Sequence, residues 1–280
     1  MTAPAATAFE FRQQRGMGVL AWPAFDGLDA EVIVTTRDGG VSSGPYSSLN
    51  LGLHVGDSDV DVLENRRRVA TAFGADLSDF VFCNQAHGRE VRIVSAADRG
   101  KGALSLADAI QDTDALVTRD LGTVLVVMVA DCVPIVLYDP DAQVLACVHA
   151  GWRGTVKRVA EAALETMASL GSRPEQVLAG VGPAIAPNRY QVGGEVKEAA
   201  DACFGGNAAD VVRPDGTGRW LFDLWAANSR ILREAGVPDR QINVAALPTG
   251  PGEGAFFSDR AARPCGRFAA IARLIPKATA

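Results

Sequence analysis

Histidine is scarce in this chain: three among 280 residues, His54, His87 and His149. A site that gathers many imidazoles cannot be built from so few. Cysteine is nearly as sparse. The five (Cys83, Cys132, Cys147, Cys203, Cys265) are odd in number and none forms a C-x-x-C pair. That argues against a disulfide framework and points to a reducing, cytoplasmic setting. No apolar run approaches the ~18 residues of a membrane-spanning helix. Neither sign of charge dominates, with 27 basic side chains against 33 acidic ones. This balance speaks against a nucleic-acid partner or a membrane surface and leaves room for a local basic pocket. The alanine-rich opening lacks the positive start of a signal peptide, so residues 1–20 read as a disordered lead-in to a single domain over 21–280.

What is present is apolar and strongly patterned. Hydrophobic residues make up 48% of the chain, enough for one large core. Residues 30–35 read as a strand running into turn material at Arg37-Asp38-Gly39-Gly40, and 61–73 as a helix stopped by Gly74. Short strands at 80–83 and 90–94 flank the His87 loop, and the Ala-, Gly- and Asp-rich stretch 96–113 reads as a mobile flap. Residues 123–130, 134–138 and 144–149 are apolar enough for strands buried on both faces. A helix follows, with Thr155 as its expected N-cap and Gly171 as its stop. Further on come a strand at 177–181, a helix at 195–204, a helix capped by Asp223, and closing strands at 242–246 and 268–275. Asn228 falls on an apolar helix side and needs partners. The fold class is α/β (α+β), with mixed sheets covered by helices.

The chemistry sits at strand ends. His87 lies in Asn84-Gln85-Ala86-His87-Gly88, Cys132 in Ala130-Asp131-Cys132-Val133-Pro134, and His149 in His149-Ala150-Gly151-Trp152-Arg153-Gly154. Two imidazoles and a thiolate suit zinc, and three protein ligands leave a position open for chemistry. Spacing alone also allows ordinary core histidines and a buried thiol, and Cys147 rivals Cys132 if both point the same way. Gly151 to Gly154 leads into a helix start, where Arg153 would reinforce an anion site. Arg37 and Arg260 are further anion clamps unless they are surface residues. Asp131 is either an acid/base or a support for its neighbour, and His54 reads as structural.

Together these segments resemble one family. Thr36-Arg37-Asp38-Gly39-Gly40-Val41-Ser42, Asn50-Leu51-Gly52, Glu64-Asn65-Arg66, Asp112-Thr113-Asp114-Ala115-Leu116-Val117 and Gly266-Arg267-Phe268 join the three motifs above in the order of the laccase-domain, or YfiH-like, family. Its members are variously named polyphenol oxidase, purine nucleoside phosphorylase and peptidoglycan editing factor. The resemblance implies face-to-face sheets in αββα layers and a zinc site of His87, Cys132 and His149. It implies phosphorolysis of adenosine, inosine, guanosine and methylthioadenosine, with adenosine deamination. Asn50 and Gln85 then join Arg37, Arg153 and Arg260 as expected substrate or phosphate contacts, and Asp131 joins the catalytic group.

Two positions depart from the family pattern. Pro248-Thr249 stands where a Cys-Thr pair is common, and Asp259 stands where a Tyr or His is usual. Other readings compete with the nucleoside one. Three histidines cannot furnish a trinuclear copper cluster, although copper at a single His₂Cys site stays conceivable. A Cys132–His149 thiol hydrolase or amidase that edits peptidoglycan precursors is a second alternative, and a non-catalytic binding module a third. The zinc signature of cytidine deaminases is absent.

Overall fold

A computed structural model describes residues 9–206, 208–250 and 254–277. Two six-stranded sheets lie face to face. In spatial order the first holds Glu10–Gln14, Met17–Ala21, Ala30–Thr35, Phe268–Leu274, Val124–Val129 and Phe80–Phe82. The second holds Ile242–Val244, Leu178–Val181, Val133–Asp139, Val144–Ala150, Ala115–Thr118 and Val91–Ile93. Most neighbours are antiparallel, and three pairs at or near sheet edges are parallel.

The alternation of side chains along a strand decides what each layer receives. In Val144–Ala150, Leu145 and Cys147 enter the layer between the sheets, while Val144, Ala146, Val148 and Ala150 pack on the helical side. Both faces are covered, which is why the run is apolar throughout. Helices Val159–Ser169 and Leu224–Glu234 cover the outer face of the second sheet. Helix Asp59–Phe73 covers the outer face of the first, placing Val69, Ala70 and Phe73 on Val19, Ile33 and Val126. It begins at Ser58, whose side chain accepts from the Asp61 amide, and ends at Gly74 in the left-handed region. The expected αββα layering is therefore what the chain adopts. No described helix is long and apolar enough to cross a membrane.

Three expectations need correction. Residues 10–21 are no lead-in: Glu10–Gln14 pairs with Met17–Ala21 and extends the first sheet, with Val19 and Leu20 fully buried. The small-residue opening, 1–8, lies outside the described residues. Thr155 is not the helix cap. The helix starts at Trp152 after Gly151, breaks where Arg158 takes φ 61°, and resumes as Val159–Ser169. Thr155 instead accepts a 3.0 Å hydrogen bond from Asn228 Nδ2, one of the partners this buried amide needs. Stretch 96–113 is packed rather than a flap. Arg66, itself 3% exposed, donates to the carbonyls of Gly102 (2.6 Å) and Ala103 (2.8 Å) in that stretch and to Leu51.

Candidate metal centre

Strand register brings the chemistry together. Val133–Asp139 and Val144–Ala150 pair with Val133 opposite Ala150, and Ala115–Thr118 pairs with Ala115 opposite Val148. One step beyond each ladder puts Cys132 near Gly151 and Asp114 beside His149, whose amide donates to the Asp114 carbonyl at 2.8 Å. His149 has the same parity as Leu145 and Cys147, so its ring faces between the sheets at the strand's end. Cys147 shares that face two residues deeper. Its thiol contacts the Leu125 carbonyl, and burial pushes its pKa up, which makes it core rather than ligand.

His87 arrives from the loop after Phe80–Phe82 and takes φ 56°. A non-glycine residue in the left-handed region is uncommon and must be held there. Asp114 holds it: the His87 amide donates to Asp114 Oδ1 at 3.0 Å and the Gly88 amide to Oδ2 at 2.6 Å. Oδ1 also lies 2.8 Å from His149 Nδ1. One fully buried carboxylate thus fixes the His149 ring and the His87 backbone and leaves His149 Nε2 to face the Cys132 thiol. Donor atoms of His87, Cys132 and His149 all lie within 4.8 Å of one another, so the three could hold a metal ion. The two imidazole rings stand nearly perpendicular, their centroids 4.7 Å apart.

Electrostatics reinforce this arrangement. Burial alone would raise the Asp114 carboxyl, but His149 and the Gly88 and His87 amides outweigh it and hold the group below its usual range. Burial likewise resists charge on Cys132 and on His149. The His149 imidazolium, with His87, overturns that and lowers the thiol to about 6. The Cys132 thiolate and Asp114 raise His149 to about 9. A thiolate beside an imidazole is the donor set zinc accepts. Gly151 completes the fit, because a Cβ there would sit 2.8 Å from Cys132 Sγ and 3.2 Å from His87 Cδ2.

The trio opens into a cavity of about 470 Å³ whose wall includes Gln85, Asp131, Arg153 and Arg260. Gln85 is occupied as a strap: its amide donates to the Met128 carbonyl at 2.7 Å and accepts from the Met128 amide at 2.8 Å. Asp131, at φ 80°, spends one oxygen on the Thr249 hydroxyl and the other on the Arg260 amide (2.7 Å). It therefore ties Thr249 and the Arg260 backbone to the strand end beside Cys132. Arg153 stacks on Trp152, 4.3 Å from the ring centroid, and faces Glu195 at 3.7 Å. Its helix is a short one, Trp152–Val156.

Two expected contacts lie elsewhere. Arg37 donates twice to the Ser47 carbonyl (2.9 and 2.7 Å) and covers the Phe257 ring. Asn50 is fully buried, bonding Asp57, Gly52 and the Arg267 amide. Short polar side chains beside turns serve local backbone groups first, and Asn50 does so here. The structure adds residues that the motifs left unassigned: Asp114 behind the two histidines, and Tyr190, Arg263, Arg267 and His54 on the cavity wall. Asp114 stood in a quoted motif, but its pairing with His149 is set by register across 35 residues.

Residues 31–275 match the family described as multi-copper polyphenol oxidoreductase laccase. The chain is 37% identical over 242 residues to purine nucleoside phosphorylase YlmD of Bacillus subtilis, covering 85% of this chain and 87% of that protein. It is 40% identical over 212 residues to adenosine deaminase RL5 from an unknown prokaryotic organism, covering 76% and 81% respectively. The crystal structure of YlmD from Geobacillus stearothermophilus superposes with a TM-score of 0.90 at 36% identity, covering 95% of this chain and 99% of that one. By sequence along most of its length, and by fold, this chain belongs to the laccase-domain, YfiH-like family.

Proposed function

We propose that the chain processes purine nucleosides at the His87–Cys132–His149 centre and that zinc is its resident metal. The main reaction is phosphorolysis of adenosine, inosine, guanosine and methylthioadenosine, with adenosine deamination as a second route. Relatives named for phosphorolysis and for deamination support this reading. The observation that carries it is three metal-capable side chains, oriented by a buried carboxylate, opening into a cavity large enough for a small ligand. A copper cluster finds less support: among the described residues only this one group of three clustered donors occurs.

His87, Cys132 and His149 would hold the metal, which supplies Lewis acidity and a means to polarise an oxygen. Asp114 keeps both histidines aimed and is the support that such ligands need. In phosphorolysis a phosphate oxygen bonds to ribose C1′ while the C1′–N9 bond breaks. Its electron pair leaves with the purine, which takes up a proton. Arg260 and Arg153 hold the phosphate through charge-assisted contacts. Asp131 keeps the Arg260 backbone in place rather than moving protons, because both its oxygens are already engaged.

The test is product analysis on protein of measured zinc content. Adenosine with phosphate should yield adenine and ribose 1-phosphate, and without phosphate only inosine. If neither product forms, the reading fails. One geometry favours a second reading: Cys132, His149 and Asp114 stand in the order nucleophile, base and orienting carboxylate. A thiol hydrolase would lose activity as zinc is added, whereas the metal enzyme gains it.

A further inference from the structure

We propose that Asp259 is a charge selector that makes the cavity prefer neutral nucleosides to nucleoside 5′-phosphates. The proposal rests on the nucleoside reading above and adds a discrimination within it.

Four arginines reach the cavity wall: Arg153, Arg260, Arg263 and Arg267. Three face a carboxylate. Arg153 faces Glu195 at 3.7 Å, while Asp259 engages Arg263 through one oxygen and Arg267, at 3.4 Å, through the other. Arg260 differs. Its guanidinium donates to the Gln191 carbonyl at 3.1 Å and lies over Tyr190, and among the described residues no carboxylate faces it. One cation free of any carboxylate, with Arg153 only loosely paired to an exposed Glu195, suits a reaction with one anionic reactant, the phosphate.

Asp259 is well placed to enforce that count. The amide of the next residue, Arg260, is pinned by Asp131, and Ser258 before it is buried, so the carboxylate has a fixed position. Its side chain is 25% exposed and that of Arg267 is 19% exposed. Their interaction is thus less screened than that of a surface pair. Arg267 is further held by the carbonyls of Cys265 (2.9 Å) and Gly266 (3.0 Å). A second recess, of about 410 Å³, adjoins the central cavity, and Asp259, Arg263, Arg267 and His54 line both. A substituent reaching from one space toward the other meets the Asp259 carboxylate.

A phosphate monoester brings a charge of about −1.5 to −2 at neutral pH. Against Asp259 it is repelled, and the two guanidinium groups that would receive it are already engaged. Removing the carboxylate frees both arginines and abolishes the repulsion. Asp259→Asn should therefore raise affinity for AMP relative to adenosine by about ten- to a hundred-fold.

The experiment is calorimetric titration of the zinc-loaded protein with adenosine, AMP and inorganic pyrophosphate. Wild type should prefer adenosine, and Asp259→Asn should gain AMP and pyrophosphate with adenosine nearly unchanged. Arg263 has a side chain 77% exposed, so Arg263→Ala keeps the fold. It leaves Asp259 with one cation fewer, and AMP should weaken several-fold against adenosine. If folded Asp259→Asn binds AMP and pyrophosphate within two-fold of wild type, the selector is overturned. Should that variant fail to fold, an unchanged AMP-to-adenosine ratio in Arg263→Ala overturns it equally. Absence of adenosine binding to wild type would instead remove the nucleoside reading, and the pyrophosphate comparison would still report on Asp259.

Discussion

Two aspartates do parallel work around the His87–Cys132–His149 group, and they differ in what they hold. Asp114 is fully buried and spends its oxygens on the His149 ring and on the amides of His87 and Gly88. Asp131 is partly exposed and spends its oxygens on Thr249, at the end of the short strand Pro248–Thr249, and on the Arg260 amide. One carboxylate fixes the candidate donors to strand ends, and the other ties Thr249 and the Arg260 backbone to the strand end beside Cys132. The first tie acts on the side chains that could hold a metal, where fixed geometry matters most, and the second acts on backbone and hydroxyl groups of the cavity wall.

The sharpest way to break this contrast is to delete each carboxylate in turn. Asp114→Ala should lose the metal and about 3–5 kcal/mol of stability, since it takes from a buried imidazolium one of its two anionic partners and from the His87 and Gly88 amides their acceptor. Metal content and a urea midpoint read this directly. Full metal occupancy in that variant would end the claim that Asp114 orients the ligands. Asp131→Asn should keep both metal and fold while nucleoside KM rises about five-fold or more, the effect of loosening one charge-assisted contact. Equal metal loss in the two variants would erase the distinction between the sides.

Gly151→Ala probes the donor side without touching a donor. Its Cβ would approach Cys132 Sγ to 2.8 Å, and overpacking of this kind costs about 1–3 kcal/mol. Metal affinity should fall more than the melting temperature does, and the reverse order would place the strain elsewhere.

Protons offer a quieter test. His149 is raised from its ordinary 6.5 to about 9, so its charge stabilises the metal-depleted fold fully below 6.5 and loses that effect as pH rises through about 9. Cys132 is lowered from 9.0 to about 6, so its share is full above 9.0 and fades as pH falls through about 6. Between these limits the pair is thiolate and imidazolium. Zinc needs the imidazole neutral, so loading near neutral pH should expel roughly one proton per chain, rising toward two below pH 6. Titrations in buffers of different ionisation enthalpy measure that number. The smallest effect belongs to Arg37→Ala, which should leave turnover within two-fold because its guanidinium serves Ser47 and Phe257.

Much of the layering was legible in the sequence because strands buried on both faces and capped helices carry strong local signals. The runs at 124–129 and 144–150, Ser58 with Gly74, and Asp223 all express short-range chemistry. The metal trio was found through motif order, since spacing alone left core packing open. What stayed hidden was set by distant partners. Arg37 and Arg260 look alike in sequence, and only the fold sends one to a loop carbonyl and the other to the cavity. Asp114 needs strand register to meet His149, and the hairpin at 10–21 needs the free edge at Ala30–Thr35.

The donor set is gathered from loop 83–90, the start of Val133–Asp139 and the end of Val144–Ala150, with its orienting carboxylate just before Ala115–Thr118. No two-residue fragment of the chain contains a usable pair of ligands. Capture of an ion by all three donors would therefore wait until Ala115–Thr118 has joined the hairpin of Val133–Asp139 and Val144–Ala150 and the His87 loop has docked, contacts of greater sequence separation. An ion offered early meets at most Cys132 and His149 across one hairpin, two of the three donors. If the trio holds a metal as proposed, refolding followed by metal uptake should show full three-donor uptake as the last phase.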